Sequence, residues 1–134
     1  MSAAHAIRNE TSRRVQPRAI GCLVSAMCAL VACDESVAQQ IDITSVPAWR
    51  TAGSMTGVVT GVNPATHRVA VYIYIDGAGW WSKPSAASTS VPIQANGTFS
   101  ANVYTCCLDD RASIFCAALI PSNTTAPLAS GTCS

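Results

Sequence analysis

Residues 68–76, RVAVYIYID, constrain this chain more than any other stretch. Val69, Val71, Ile73 and Ile75 fall on one face, and Ala70, Tyr72, Tyr74 and Asp76 on the other. A strict period of two belongs to a β-strand, because successive side chains of an extended backbone point to opposite sides. The aliphatic face therefore has to meet a core, which requires a second layer of structure above it.

The rest of the chain supplies strands for that layer. Residues 54–62 (SMTGVVTGV) are β-branched and polar by turns, and NPATH at 63–67 is a turn in which Pro64 fixes the backbone. The glycines of GAG at 77–79 break the strand that precedes them. TSVPI at 89–93 is a short strand, and Pro92 places it at a sheet edge. The Asn96-Gly97 pair signals a hairpin turn, after which Phe99, Ala101 and Val103 alternate with Ser100, Asn102 and Tyr104. Residues 106–113 (CCLDDRAS) form a loop. IFCAALIP at 114–121 is an apolar run expected to be buried on both faces, and 127–134 offers a last strand.

No helical period of useful length occurs after Ala38. Short strands at a spacing of about 10 residues predict a single all-β domain, an antiparallel Ig/FnIII-like sandwich of about 6–7 strands. A closed barrel is the alternative topology. The sandwich is assigned to residues 54–134, with 34–53 as a tether and an entering strand around Ile41-Asp42-Ile43.

The N-terminal third reads differently. Arg8, Arg13, Arg14 and Arg18 face only Glu10, and the uncharged run AIGCLVSAMCALVAC follows at 19–33. A basic stretch followed by an apolar run too short to span a bilayer is the plan of a secretory signal peptide. Leu30-Val31-Ala32-Cys33 matches a lipobox, which would make Cys33 the acylated N-terminus and residues 1–33 the leader. Cleavage after Ala38, where Ser36 and Ala38 are the small residues, is the alternative. The expected product is an extracytoplasmic lipoprotein held on a membrane surface, or a periplasmic or secreted protein if the second site is used.

The domain left behind is close to neutral. Beyond Ala38, Arg50, Arg68, Lys83 and Arg111 balance Asp42, Asp76, Asp109 and Asp110. With no basic patch, nucleic acid is not an expected partner. Cys22, Cys28 and Cys33 belong to the leader region, which leaves Cys106, Cys107, Cys116 and Cys133. An even number in a small exported domain predicts two disulfides. Either Cys106–Cys116 goes with Cys107–Cys133, or Cys107–Cys116 goes with Cys106–Cys133. The spacing does not suit a zinc site.

Catalytic chemistry is thin. His67 stands in a turn, and Asp109-Asp110 are adjacent, a poor arrangement for a general acid/base pair and too few oxygens for calcium. There is no G-x-S-x-G, no H-E-x-x-H and no phosphate loop. No enzyme activity, metal or cofactor is expected. Asn96 and Asn123 match the N-glycosylation sequon, which a bacterial leader leaves idle.

Tyr72, Tyr74, Trp80 and Trp81 crowd one strand and the loop after it. Neighbouring residues of an extended chain point apart, so one tryptophan at most should enter the core. The other, with Tyr72 and Tyr74, is the candidate ligand surface, because exposed rings stack on the apolar face of a sugar. Coplanar, solvent-facing rings would favour a sugar platform.

The segments GVVTGVNPATHRVAVYIYIDGAGWWSKP, PIQANGTFSANV and IFCAALIP together resemble a small extracytoplasmic β-sandwich domain of bacterial secreted proteins. Its pattern joins a VAVYIY-like strand to WW-x-KP and then to (D/N)-G-T-(W/F), and the likeness covers residues 54–121. The resemblance implies a sandwich fold and an extracytoplasmic location. The chain departs from the pattern in having Asn96 where Asp is usual, and in its four cysteines. The functional expectation is a non-catalytic binding module of the cell envelope, with a glycan as the leading ligand. A structural or protein-interaction module of the envelope is the alternative.

Overall fold

The computed structural model describes residues 4–8, 37–106 and 108–132. Eight strands form two antiparallel sheets that close on one core: β1 Ala4–Arg8, β2 Gln40–Ser45, β3 Ser54–Thr60, β4 His67–Ile75, β5 Gly79–Lys83, β6 Ser90–Pro92, β7 Thr98–Asn102 and β8 Ala112–Pro121. The larger sheet runs β1-β8-β4-β5, with β6 also pairing β4, and the smaller runs β2-β3-β7. The fold is the all-β sandwich expected, and two separate sheets replace the barrel alternative.

The alternation in β4 works as read. Val69, Val71 and Ile73 are fully buried and meet Met55, Val59, Phe99 and Ala101 of the smaller sheet. From β8, Phe115, Ala117 and Leu119 complete the same layer. Gly57 lies opposite Phe99, and a side chain there would strike both the Phe99 ring and the Asp42 carbonyl. The glycine thus lets an aromatic ring lie flat against the β3 backbone.

Three expectations change. The GWWSK segment is not a loop after a broken strand but strand β5, paired to β4 from Ile75↔Gly79 to Val71↔Lys83. Gly77 and Gly79 have φ of 80° and 85°, so they make the tight turn that the L-residues around them could not. Ile41-Asp42-Ile43 lies in β2, the entering strand expected there, which pairs along β3. β8 is not buried throughout on both faces: on its outer face Ile120 is buried, while Ile114, Cys116 and Ala118 are half-buried.

The third concerns the tail. The described part of 127–134 is not a strand of either sheet but an irregular strap. Ser82 N–H donates to Ala129 O at 2.8 Å and Thr132 N–H to Ala78 O at 2.9 Å, along the edge of β5. Ala126 is buried against Ala70 and Ile120 on the outer face of the larger sheet. The strap thereby covers one half of that face and satisfies an edge that would otherwise stay open.

The N-terminal segment also differs from expectation. Ala4–Arg8, within the expected leader, pairs antiparallel with β8, from Ala4↔Ala118 to Arg8↔Ile114. An extended segment satisfies the backbone groups of an edge strand whatever its origin. The remainder of the expected leader, with Cys22, Cys28 and Cys33, lies outside the described residues. Among the described residues no helix is long and apolar enough to cross a membrane.

The two ends of the sandwich are unlike. Residues 37–39 enter beside Gly61, at the end holding the β3–β4 turn. Loops 46–53 and 103–111 and the turn at 76–78 lie at the opposite end.

Candidate functional site

The four aromatic residues singled out from the sequence separate into two pairs. On the outer face of the larger sheet, Tyr74 and Trp80 are register partners with ring centroids 5.3 Å apart. Trp80 is 40% exposed and Tyr74 half-buried. Beside them the Ser113 hydroxyl donates to Asp76 Oδ1 at 3.1 Å, so a carboxylate and a hydroxyl stand next to the rings. The planes of Tyr74 and Trp80 meet at 57°, so they form a tilted pair and not the flat platform expected.

Tyr72 and Trp81 are engaged elsewhere. The Tyr72 hydroxyl donates to Pro127 O at 2.8 Å, which ties the ring beneath the strap. Burial, and then the neighbouring Cys116, raise its pKa. Trp81 packs against the core from the other side of β5. Its Nε1 is buried without a hydrogen-bond partner. Gly131 of the strap passes so close that any side chain there would strike Trp81 and Ala78 O. Trp81 also lines a pocket with Ile75, Ala78, Cys106, Leu108 and Asp109. At about 20 Å³ it holds roughly one water molecule and no sugar. The paired tryptophans thus divide as expected: Trp81 packs on the core and Trp80 faces out.

Lys83 and Asp109 hold this region together. Both are buried, at 3% and 7% exposure, with Lys83 Nζ 2.5 Å from Asp109 Oδ2. The same oxygen accepts the backbone N–H of Thr105 at 2.7 Å and of Cys106 at 2.8 Å. Lys83 Nζ also donates to Thr105 Oγ1 at 2.9 Å. The pair pins loop 103–111 to β5. Asp109 is thus a structural anchor whose Oδ2 is taken by Lys83, Thr105 and Cys106, and Asp76 does not line its pocket. Among the described residues no three metal-ligating side chains cluster.

The cysteine expectation needs correction. Cys116 carries a free thiol on the outer face of β8, in register with Tyr72. Both expected patterns bridge Cys116 to the 106–107 pair, and neither forms. Cys106 lies in the loop beyond the far end of β8, and Cys116 is four residues inside the strand, at roughly 3.3 Å per residue. Burial raises the Cys116 pKa, which leaves it a weak nucleophile. Cys107 and Cys133 lie outside the described residues.

Two exposed rings were missed. Trp49 is 57% exposed in loop 46–53 and Tyr104 is 40% exposed in loop 103–111. The loops are joined by Arg50 N–H to Asp110 O at 2.7 Å and Val103 N–H to Gly53 O at 3.2 Å. Trp80, Trp49 and Tyr104 thus gather at one end of the sandwich. The sequence carried a signal for Trp49, a large ring among Pro47, Ala48, Arg50 and Gly53, where no strand pattern could bury it.

A second concavity, of about 500 Å³, lies along Thr44, Thr56, Thr98 and Ser100 of the smaller sheet, with Pro92 and Gln94 as its wall. It has hydroxyls but no exposed ring and no charge, so it offers little to orient a ligand.

No family model, curated protein or solved structure matches the chain. The functional reading rests on its own residues.

Proposed function

We propose that the chain is an exported, lipid-anchored, non-catalytic binding module of the bacterial cell envelope, and that its ligand is a glycan held at the Tyr74–Trp80 face. The observation that carries this is the 40% exposure of Trp80 beside Tyr74, with Asp76 and Ser113 at the rim. An exposed indole flanked by a carboxylate and a hydroxyl can stack on the apolar face of a sugar while accepting its hydroxyl hydrogens. Affinity electrophoresis against a panel of neutral and acidic polysaccharides tests it. Trp80→Ala should weaken retardation at least about tenfold, or ~1.4 kcal/mol. Trp81→Ala should instead lower stability, because that ring packs on the core. Retardation unaffected by Trp80→Ala, or absent on every glycan, rejects the site.

The second reading, an envelope structural or protein-interaction module, is favoured by one observation. Rings tilted at 57° present a ridge rather than a flat stacking surface. An absence of glycan binding combined with a Trp80-dependent protein partner would select it.

The anchoring part of the proposal rests on Arg8 to Arg18, the apolar run and Leu30-Val31-Ala32-Cys33. One acyl-modified cysteine with a processed N-terminus would hold the domain on a membrane surface. Labelled fatty acid should be incorporated by the wild type and lost with Cys33→Ala. Labelling that survives the substitution removes the lipobox, and absent labelling with cleavage after Ala38 selects the soluble product.

A further inference from the structure

We infer that the glycan is an acidic polysaccharide, and that its carboxylates are taken by Arg50 and Arg111 at the loop end of the sandwich. The inference rests on the glycan reading and names the ligand's chemical class.

Residues 37–132 carry four lysine and arginine side chains: Arg50, Arg68, Lys83 and Arg111. Two are engaged inside the fold. Lys83 is buried against Asp109. Arg68 donates from Nε to Ser90 Oγ at 2.9 Å and from Nη2 to Ser90 O at 3.1 Å. The side chains of Arg50 and Arg111 are exposed and make no hydrogen bond or ion pair with any described residue. These two come from sequence positions 61 apart, yet the fold sets them in adjoining loops. The Arg50 N–H donates to the carbonyl of Asp110, the residue before Arg111.

The backbone at Arg50 is also unusual. Its φ is 60°, the left-handed region that glycine favours and a long side chain rarely enters. Strained backbone of this kind persists where surrounding contacts hold it, and it clusters at binding sites. Here the hydrogen bond to Asp110 O holds it. Arg50 directly follows the exposed Trp49 in the chain.

Ring and guanidinium together specify a ligand. An arginine fork matches a carboxylate with two parallel hydrogen bonds. Trp49 and Tyr104 are exposed rings in the same two loops as the arginines, and Trp80 is a third exposed ring at that end of the sandwich. A polymer that repeats a carboxylate on a ring with an apolar face suits that combination, and a uronate chain is one. Asp76 and Asp110 are the opposing charges at this end, and Asp76 is held by the Ser113 hydroxyl. The end as a whole is thus electrically balanced. Recognition works by short-range pairing and not by long-range attraction, which a basic patch would provide.

The test compares polygalacturonate with its fully methyl-esterified form, which keeps the backbone and removes the charge. The full-length expressed protein should be retarded by polygalacturonate and at least about tenfold less by the ester. Arg50→Gly, which relieves the left-handed strain, and Arg111→Ala should each weaken polygalacturonate binding about tenfold. Both should leave retardation by the ester unchanged; Arg111→Ala should leave the unfolding midpoint unchanged, and Arg50→Gly should not lower it. Arg111→Lys should not restore binding, because an ammonium has no fork. Equal retardation by both polymers, lost with Trp80→Ala, overturns this inference and keeps the glycan reading. Retardation by neither, nor by any other glycan, overturns both. Binding of poly-glutamate as tight as that of polygalacturonate makes the partner an acidic protein and overturns the sugar assignment.

Discussion

Lys83→Met is expected to destabilise the domain by about 3–5 kcal/mol, the usual cost of leaving one member of a buried ion pair without its partner. Methionine keeps the length and the apolar stem of lysine, so the loss is electrostatic and not a cavity. Asp109 is 7% exposed, and among the described residues Thr105 and the Cys106 N–H would be left to hold its charge. A small domain has about 5–15 kcal/mol in total, so the variant should be close to unfolding at 37 °C. Urea denaturation followed by tryptophan fluorescence measures it, since Trp81 lies in the same pocket as Asp109. The double variant Lys83→Met, Asp109→Leu should cost less than the two singles added together. It removes both charges at once and leaves only backbone N–H groups unsatisfied. A Lys83→Met cost below about 1 kcal/mol would mean that water reaches the carboxylate, as at an exposed pair.

The other large effect is in the core. Phe99→Ala should cost about 3–5 kcal/mol, the range for removing a buried aromatic ring. Phe99 is 2% exposed and lies against the bare backbone of Gly57, so nothing nearby can swing in to fill the space. The neighbouring glycine sharpens the test. A side chain at Gly57 would meet the Asp42 carbonyl as well as the Phe99 ring. Gly57→Ala should therefore not rescue Phe99→Ala, although it adds back part of the lost volume. Recovery of stability in the double variant would show that β2 and β3 can part to admit a methyl group, against the packing described above.

What could be read in advance was whatever a local pattern encodes. The alternation of residues 68–76 gave a face to every side chain of β4, and the rule that adjacent residues diverge divided Trp80 from Trp81. Strand β5 was not legible, because Gly77, Gly79 and Pro84 around it look like loop chemistry, and only pairing with β4 makes it a strand. The strap was hidden for a similar reason. Ala126 to Thr132 carries no period, and its bonds go to Tyr72, Ala78 and Ser82, more than 40 residues away. Lys83 and Asp109 lie 26 positions apart and neither reads as buried by type. The arginine pair and the exposed rings of Trp49 and Tyr104 required knowing which loops share an end. Cys116 misled because counting cysteines says nothing about where along a strand each one stands.

The unlike ends of the sandwich have a mechanical consequence. The chain enters at residue 37 beside Gly61, and β2 then runs the length of the smaller sheet to the loop bearing Trp49 and Arg50. Tension between a tether at the first end and a polymer gripped at the second would pull β2 along its own axis. The hydrogen bonds joining β2 to β3 run across that axis. They would be loaded in shear and would have to yield together, whereas a pull from the side would unzip them one at a time. With the anchor and the polymer as proposed, load would run along the line that joins the two ends of the sandwich.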